Sequence, residues 1–124
     1  CRVLPSYRPK DVLAAAQELA THAAKTFGVQ AVVGLVSEES SPPTRADAPV
    51  VGELLRAIRK VRSIRAKPVG IGGGTVAGPL RKKGYDAAVW STTDEVGHAI
   101  DEYARVDHLV ADAKVFAALM AGSE

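Results

Sequence analysis

Apolar residues recur at helical spacing in three stretches of this chain, and between them lie short apolar runs set off by glycine, proline and polar clusters. The first periodic stretch opens at Asp11. Val12, Leu13, Ala16, Leu19, Ala20, Ala23, Ala24 and Phe27 share one face, and Gly28 stands where a helix C-terminus is expected. The second is expected to be capped by Asp47. Its stripe is Val50, Val51, Leu54, Leu55, Ile58, Val61 and Ile64, its arginines lie on the opposite side, and Lys67-Pro68 is its stop. The third follows Asp107 as cap and places Leu109, Val110, Ala113, Phe116, Ala117 and Met120 on the buried side. A shorter helix over 75–83, bent near Pro79 and ended by Gly84, fills the interval.

The remaining apolar runs have the length and residue types of strands. Val29 to Val36 is short and β-branched, Ala87 to Trp90 follows a glycine, and Arg2-Val3-Leu4-Pro5 is strand-like. Strand, helix and strand in succession predict a two-layer α/β packing at the start of the chain. The polar, proline-bearing stretch SEESSPPTRADAP over 37–49 is the sharpest change of composition, so a boundary is placed there. Residues 1–45 and 46–124 are the two expected units.

Composition narrows the class. With 124 residues, 47% hydrophobic and 24% charged, the chain reads as a soluble globular protein. A net charge of +2 is too small to argue for nucleic acid, and no nucleic-acid partner is expected. Arg56, Arg59, Lys60, Arg62, Arg65 and Lys67 do cluster, but no aromatic residues are interleaved, so the cluster reads as a solvated helix face. No apolar run approaches the roughly 18 residues of a membrane helix, and a membrane partner is not expected. Cys1 is the single cysteine, so no intrachain disulfide forms, and the cytoplasm is the default location. Without a methionine at its start, the chain reads as one entered in the middle of a strand, part of something longer.

Two places carry candidate chemistry. Gly72-Gly73-Gly74-Thr75 before a helix exposes backbone N–H groups, which suits an anion or an oxyanion, and equally suits a tight turn. It is neither a dinucleotide fingerprint nor a P-loop. His98 follows the Ala87–Trp90 run in a loop, with Asp94 and Glu95 before it and Asp101 and Glu102 after it. Such groups suit a divalent metal, although one histidine cannot hold zinc alone, and the same pattern fits an ordinary hydrogen-bonded surface histidine. His22 and His108 read as structural, Glu38-Glu39 as a solvated pair, and Cys1 has no histidine partner.

Taken together, Gly73-Gly74-Thr75, then Gly84-x-x-Ala87-Ala88-Val89-Trp90, then His98-Ala99-Ile100-Asp101-Glu102-Tyr103 and Val106-Asp107 resemble the C-terminal third of the zinc-dependent aminoacylase/carboxypeptidase superfamily. This superfamily includes succinyl-diaminopimelate desuccinylase, acetylornithine deacetylase and related metallopeptidases. The first 45 residues resemble the rear of its lid, or dimerisation, domain. The resemblance implies an α/β fold: the end of a two-layer lid, then the last strand and helices of a three-layer α/β/α catalytic domain.

The resemblance also implies hydrolysis of an N-acyl amino acid or short peptide amide by two zinc ions, with cobalt or manganese as alternatives. By position His98 is the metal ligand, Gly73, Gly74 and Thr75 line the substrate pocket, and Glu102 supports the ligand from outside. The family's remaining ligands and its general base have no counterpart in these residues, so this chain alone is expected to be inactive. Pro79 stands where many members carry a substrate-binding arginine, and Arg81 is not assigned that role. The rival expectation is a non-catalytic α/β binding module that forms homo-oligomers through the edge of the Val29–Val36 strand.

Overall fold

A computed structural model describes residues 3–4, 6–71 and 74–122. Among them four helices form: α1 (Pro9–Phe27), α2 (Pro49–Arg62), α3 (Ala77–Lys82) and α4 (Val106–Met120). α1 and α2 each start with proline in the first turn, where its missing N–H is not needed and its φ is already helical. Asp11 lies inside the first turn of α1 and accepts from Arg8 Nε at 2.7 Å, so the cap position belongs to Arg8. Gly28 ends the helix in the left-handed region at φ 64°, donating to the Ala24 carbonyl, in line with its place in the sequence.

The other helix limits depart from expectation. Ala48, not Asp47, is the N-cap of α2, because the Asp47 carboxylate is held by the Arg45 guanidinium at 2.9 and 2.6 Å. α2 stops at Ser63, before Lys67-Pro68, with Ser63 left-handed at φ 54° and its N–H on the Arg59 carbonyl. α3 is not bent at Pro79, which sits in the first turn of a helix that starts only at Ala77. Gly84, at φ 85°, does close it. α4 starts one residue before Asp107, whose carboxylate faces Arg105 at 3.0 and 2.6 Å.

The core lies between α2 and α4, the helix pair in extensive contact among the described residues. Leu54, Ala57, Ile58 and Val115 are buried there, and Val61, Trp90, Ala118 and Leu119 pack around them. Ala57 is fully enclosed in this contact. Removing a side chain such as Ile58 from water contributes roughly 1.5–3 kcal/mol.

The face of α4 that meets α2 is not the expected one. Val115 is buried and His108, Ala111, Asp112, Ala118 and Leu119 are half-buried, a face at helical spacing that carries one carboxylate. Leu109, Val110 and Met120 remain exposed, as does Phe116 at 37%. α4 is apolar around most of its circumference, and in such a helix periodicity does not choose a side.

The expected α/β fold is not found: no strand is present among the described residues. Val29–Val36 and Ala87–Trp90 run without a ladder, as do Val3 and Leu4 of the first expected strand. The rest of that strand lies outside the described residues. A strand exists only through a neighbour that takes its N–H and C=O groups, and composition cannot supply that neighbour. Val32 and Val36 are accordingly almost wholly exposed. At Ala87 a side chain does what a neighbouring strand would do: Thr44 Oγ1 accepts from the Ala87 N–H at 3.1 Å and donates to its carbonyl at 2.6 Å.

Candidate functional site

The loop from Ser91 to Arg105 carries His98 between the core and the start of α4. Its first residues are tied to Asp112 on α4. Asp112 Oδ2 accepts the Thr92 backbone N–H at 2.7 Å, and Oδ1 accepts the Thr92 hydroxyl at 2.7 Å and the Trp90 indole N–H at 3.1 Å. Arg62, at the end of α2, donates to the Thr92 hydroxyl at 2.9 Å and lies 3.8 Å from Asp112. Arg62 is thus half-buried beside the core instead of lying on a solvated face. Burial pushes the Asp112 carboxyl up. The bonds from Thr92 and Trp90, with the Arg62 charge, outweigh it and hold the carboxyl below its ordinary value.

His98 itself is exposed, in a turn where both it (φ 66°) and Asp101 (φ 59°) adopt left-handed backbone. The Ala99 N–H closes the turn on the Val96 carbonyl at 3.0 Å. Glu102 Oε2 accepts the His98 backbone N–H at 3.0 Å, so it supports the histidine through the main chain. Asp94, Glu95 and Asp101 do not complete a metal site. Among the described residues no three His, Cys, Asp or Glu side chains gather closely enough to hold an ion.

Gly74 and Thr75 lie elsewhere. They line an open cleft of ≈ 670 Å³, walled by α1, the extended stretch after it and α3, and His98 is not among its lining residues. Gly73 falls outside the described residues. Thr75 Oγ1 is buried without a hydrogen-bond partner among the described residues. Nearby, Arg81 Nε donates to Ser41 Oγ at 3.2 Å, so the cleft is polar at this end and apolar toward Val12 and Leu13. The residues singled out by sequence therefore fall into two places, the His98 turn and this cleft.

Asp112 was missed by sequence reasoning. Its signal was present, since a single carboxylate between Ala111 and Val115 falls on the helical face that α2 covers. Only the choice of the wrong face hid it.

The chain is similar to one stretch of two archaeal metallohydrolases. It is 32% identical, over 129 aligned positions, to an uncharacterized metallohydrolase of Methanococcus maripaludis, covering 94% of this chain and 31% of that protein. It is 33% identical over 125 positions to an uncharacterized metallohydrolase of Methanocaldococcus jannaschii, covering 94% and 30%. The chain thus spans about a third of the length of the relatives it matches. No family model matches the chain, and no solved structure matches it.

Proposed function

We propose that this chain contributes a segment of a metal-dependent hydrolase that cleaves the amide bond of an N-acyl amino acid or short peptide. The observation that carries the hydrolase part is the 32–33% identity, across 94% of the chain, to proteins named metallohydrolases. The amide substrate, and zinc as the metal, rest on the motif around His98 and Glu102 and on the Gly74-Thr75 turn. Within this reading His98 gives an imidazole to the metal, Glu102 holds the turn that presents it, and Gly73, Gly74 and Thr75 line the acyl or carboxylate pocket. The described residues do not form a complete metal site, so further ligands must come from another segment or subunit. A bound metal would supply Lewis acidity and an activated water.

The test uses the complete gene product that carries this segment. Metal content is measured by plasma mass spectrometry and hydrolysis with a panel of N-acyl amino acids and dipeptides. Wild type is expected to lose activity with a chelator and regain it with zinc, cobalt or manganese, and His98→Ala to lose both metal and activity. Full activity and unchanged metal content in His98→Ala would end the proposal.

One observation favours a second reading, a non-catalytic module that associates with further copies: Leu109, Val110 and Met120 of α4 stand exposed on one apolar side. A chain that sediments as a monomer at high concentration removes that reading.

A further inference from the structure

We infer that Asp112 is the positioning residue of the His98 loop, the carboxylate that pins the start of the loop to the same helix into which its end runs. Residues 93–105 leave from Thr92 and return at Arg105, the N-cap of α4. The return is covalent. The departure is held at the backbone by Asp112 Oδ2, 2.7 Å from the Thr92 nitrogen, and beside it Oδ1 takes the Thr92 hydroxyl and the Trp90 indole. The carboxylate is 13% exposed and stands next to the enclosed Val115, so it is fixed by the packing of α4 on α2.

With both feet on one helix, the loop has lost most of the freedom that an open segment of its length would keep. At its tip Glu102 braces the left-handed turn through the His98 N–H. The two carboxylates thus act at different points, Glu102 shaping the turn and Asp112 setting where the turn stands on the core. Groups that ligate or transfer protons need placement to within about 0.5 Å, and an exposed imidazole gets no such placement from its own surroundings. This inference rests on the hydrolase reading for its chemical consequence, since only there does the position of His98 matter to a reaction.

Residue-resolved amide hydrogen exchange on this chain tests the anchor, comparing wild type with Asp112→Ala and Asp112→Asn. In Asp112→Ala the Thr92, His98 and Ala99 amides are expected to exchange about tenfold faster or more, with α1 unchanged. Asp112→Asn still offers Oδ1 to the Thr92 N–H, so it should keep those three amides near wild type and free only the Trp90 indole. In the complete gene product, Asp112→Ala should lower kcat about tenfold with KM little changed, and Asp112→Asn should restore most of it. Trp90→Phe, which leaves the Thr92 contacts in place, should not move kcat.

A folded Asp112→Ala whose His98 and Ala99 amides exchange at wild-type rates overturns the inference. So does an unchanged kcat in that variant when His98→Ala abolishes turnover. If Asp112→Ala does not fold, Asp112→Ser, which is too short to hold the Thr92 N–H, decides: faster exchange at Thr92 together with His98 and Ala99 supports the anchor, and faster exchange at Thr92 with His98 and Ala99 unchanged overturns it. Failure of the hydrolase reading shows separately, as full hydrolysis by His98→Ala.

Discussion

α1 and α2 both begin at a proline, both run for more than three turns, and both carry an apolar stripe legible in the sequence. α2 buries Val51, Leu54, Ala57 and Ile58, whereas α1 buries no residue along its 19 positions, and Leu19 and Phe27 are mostly exposed. The difference lies in what each meets. α2 is met by α4, whose Val115 closes the contact from the other side. α1 is met by the extended stretch around Val33, reached by a Gln17 Nε2 bond to the Val33 carbonyl at 3.2 Å, and by an open cleft. An amphipathic pattern states which side of a helix would be buried. Burial itself needs a second surface of matching shape.

The sharpest way to break that comparison is to truncate one residue from each helix. Ile58→Ala should cost about 2–5 kcal/mol in urea unfolding, while Leu19→Ala should stay within about 0.5 kcal/mol. Equal costs would mean that α1 is as tightly held as α2. Next in size come the polar anchors. Asp112→Ala strands the Trp90 and Thr92 donors beside the core and should cost about 1–3 kcal/mol. Gly28→Ala places a Cβ at φ 64°, though nothing lies within 4 Å of it, and should cost about 1 kcal/mol by backbone conformation alone.

The smallest effect is a pH dependence that separates the same two kinds of environment. Asp107 is held down to about 2 by the hydrogen bond from Arg105, and Asp112 is also lowered. A carboxyl lowered in the folded state contributes stability that is fully present above its unfolded value near 3.8, and that is lost as pH falls through the folded value. The urea midpoint of wild type should therefore drop as pH falls from 3.8 toward 2, and both Asp107→Asn and Asp112→Asn should flatten that drop. Salt should erase the solvent-exposed Asp107 part and leave most of the Asp112 part. Identical salt sensitivity would place the two carboxylates in the same environment.

Much of the helical content could be read without a structure. The α1 periodicity, the Gly28 and Gly84 terminators and the α2 stripe all follow from spacing and backbone preference, which act over a few neighbouring residues. The α2 stop could not be read so, because Ser63 adopts a left-handed conformation that its residue type does not announce. The candidate site was legible in part. His98 does sit in a loop, with Glu102 against its backbone, while the separation of that loop from the Gly74–Thr75 cleft was not visible in their order along the chain.

Local chemistry along the chain was enough to set roughly where the helices form and where Gly28 and Gly84 end two of them. Three things came only from packing: that the extended runs find no ladder partner among the described residues, that α4 turns Val115 and Asp112 toward α2, and that one carboxylate gathers Trp90, Thr92 and Arg62. Helix formation is governed by contacts three or four residues away. Ladders, buried faces and carboxylate anchors depend on surfaces that the chain brings together from dozens of residues apart, and no local pattern encodes which of several apolar sides will be met.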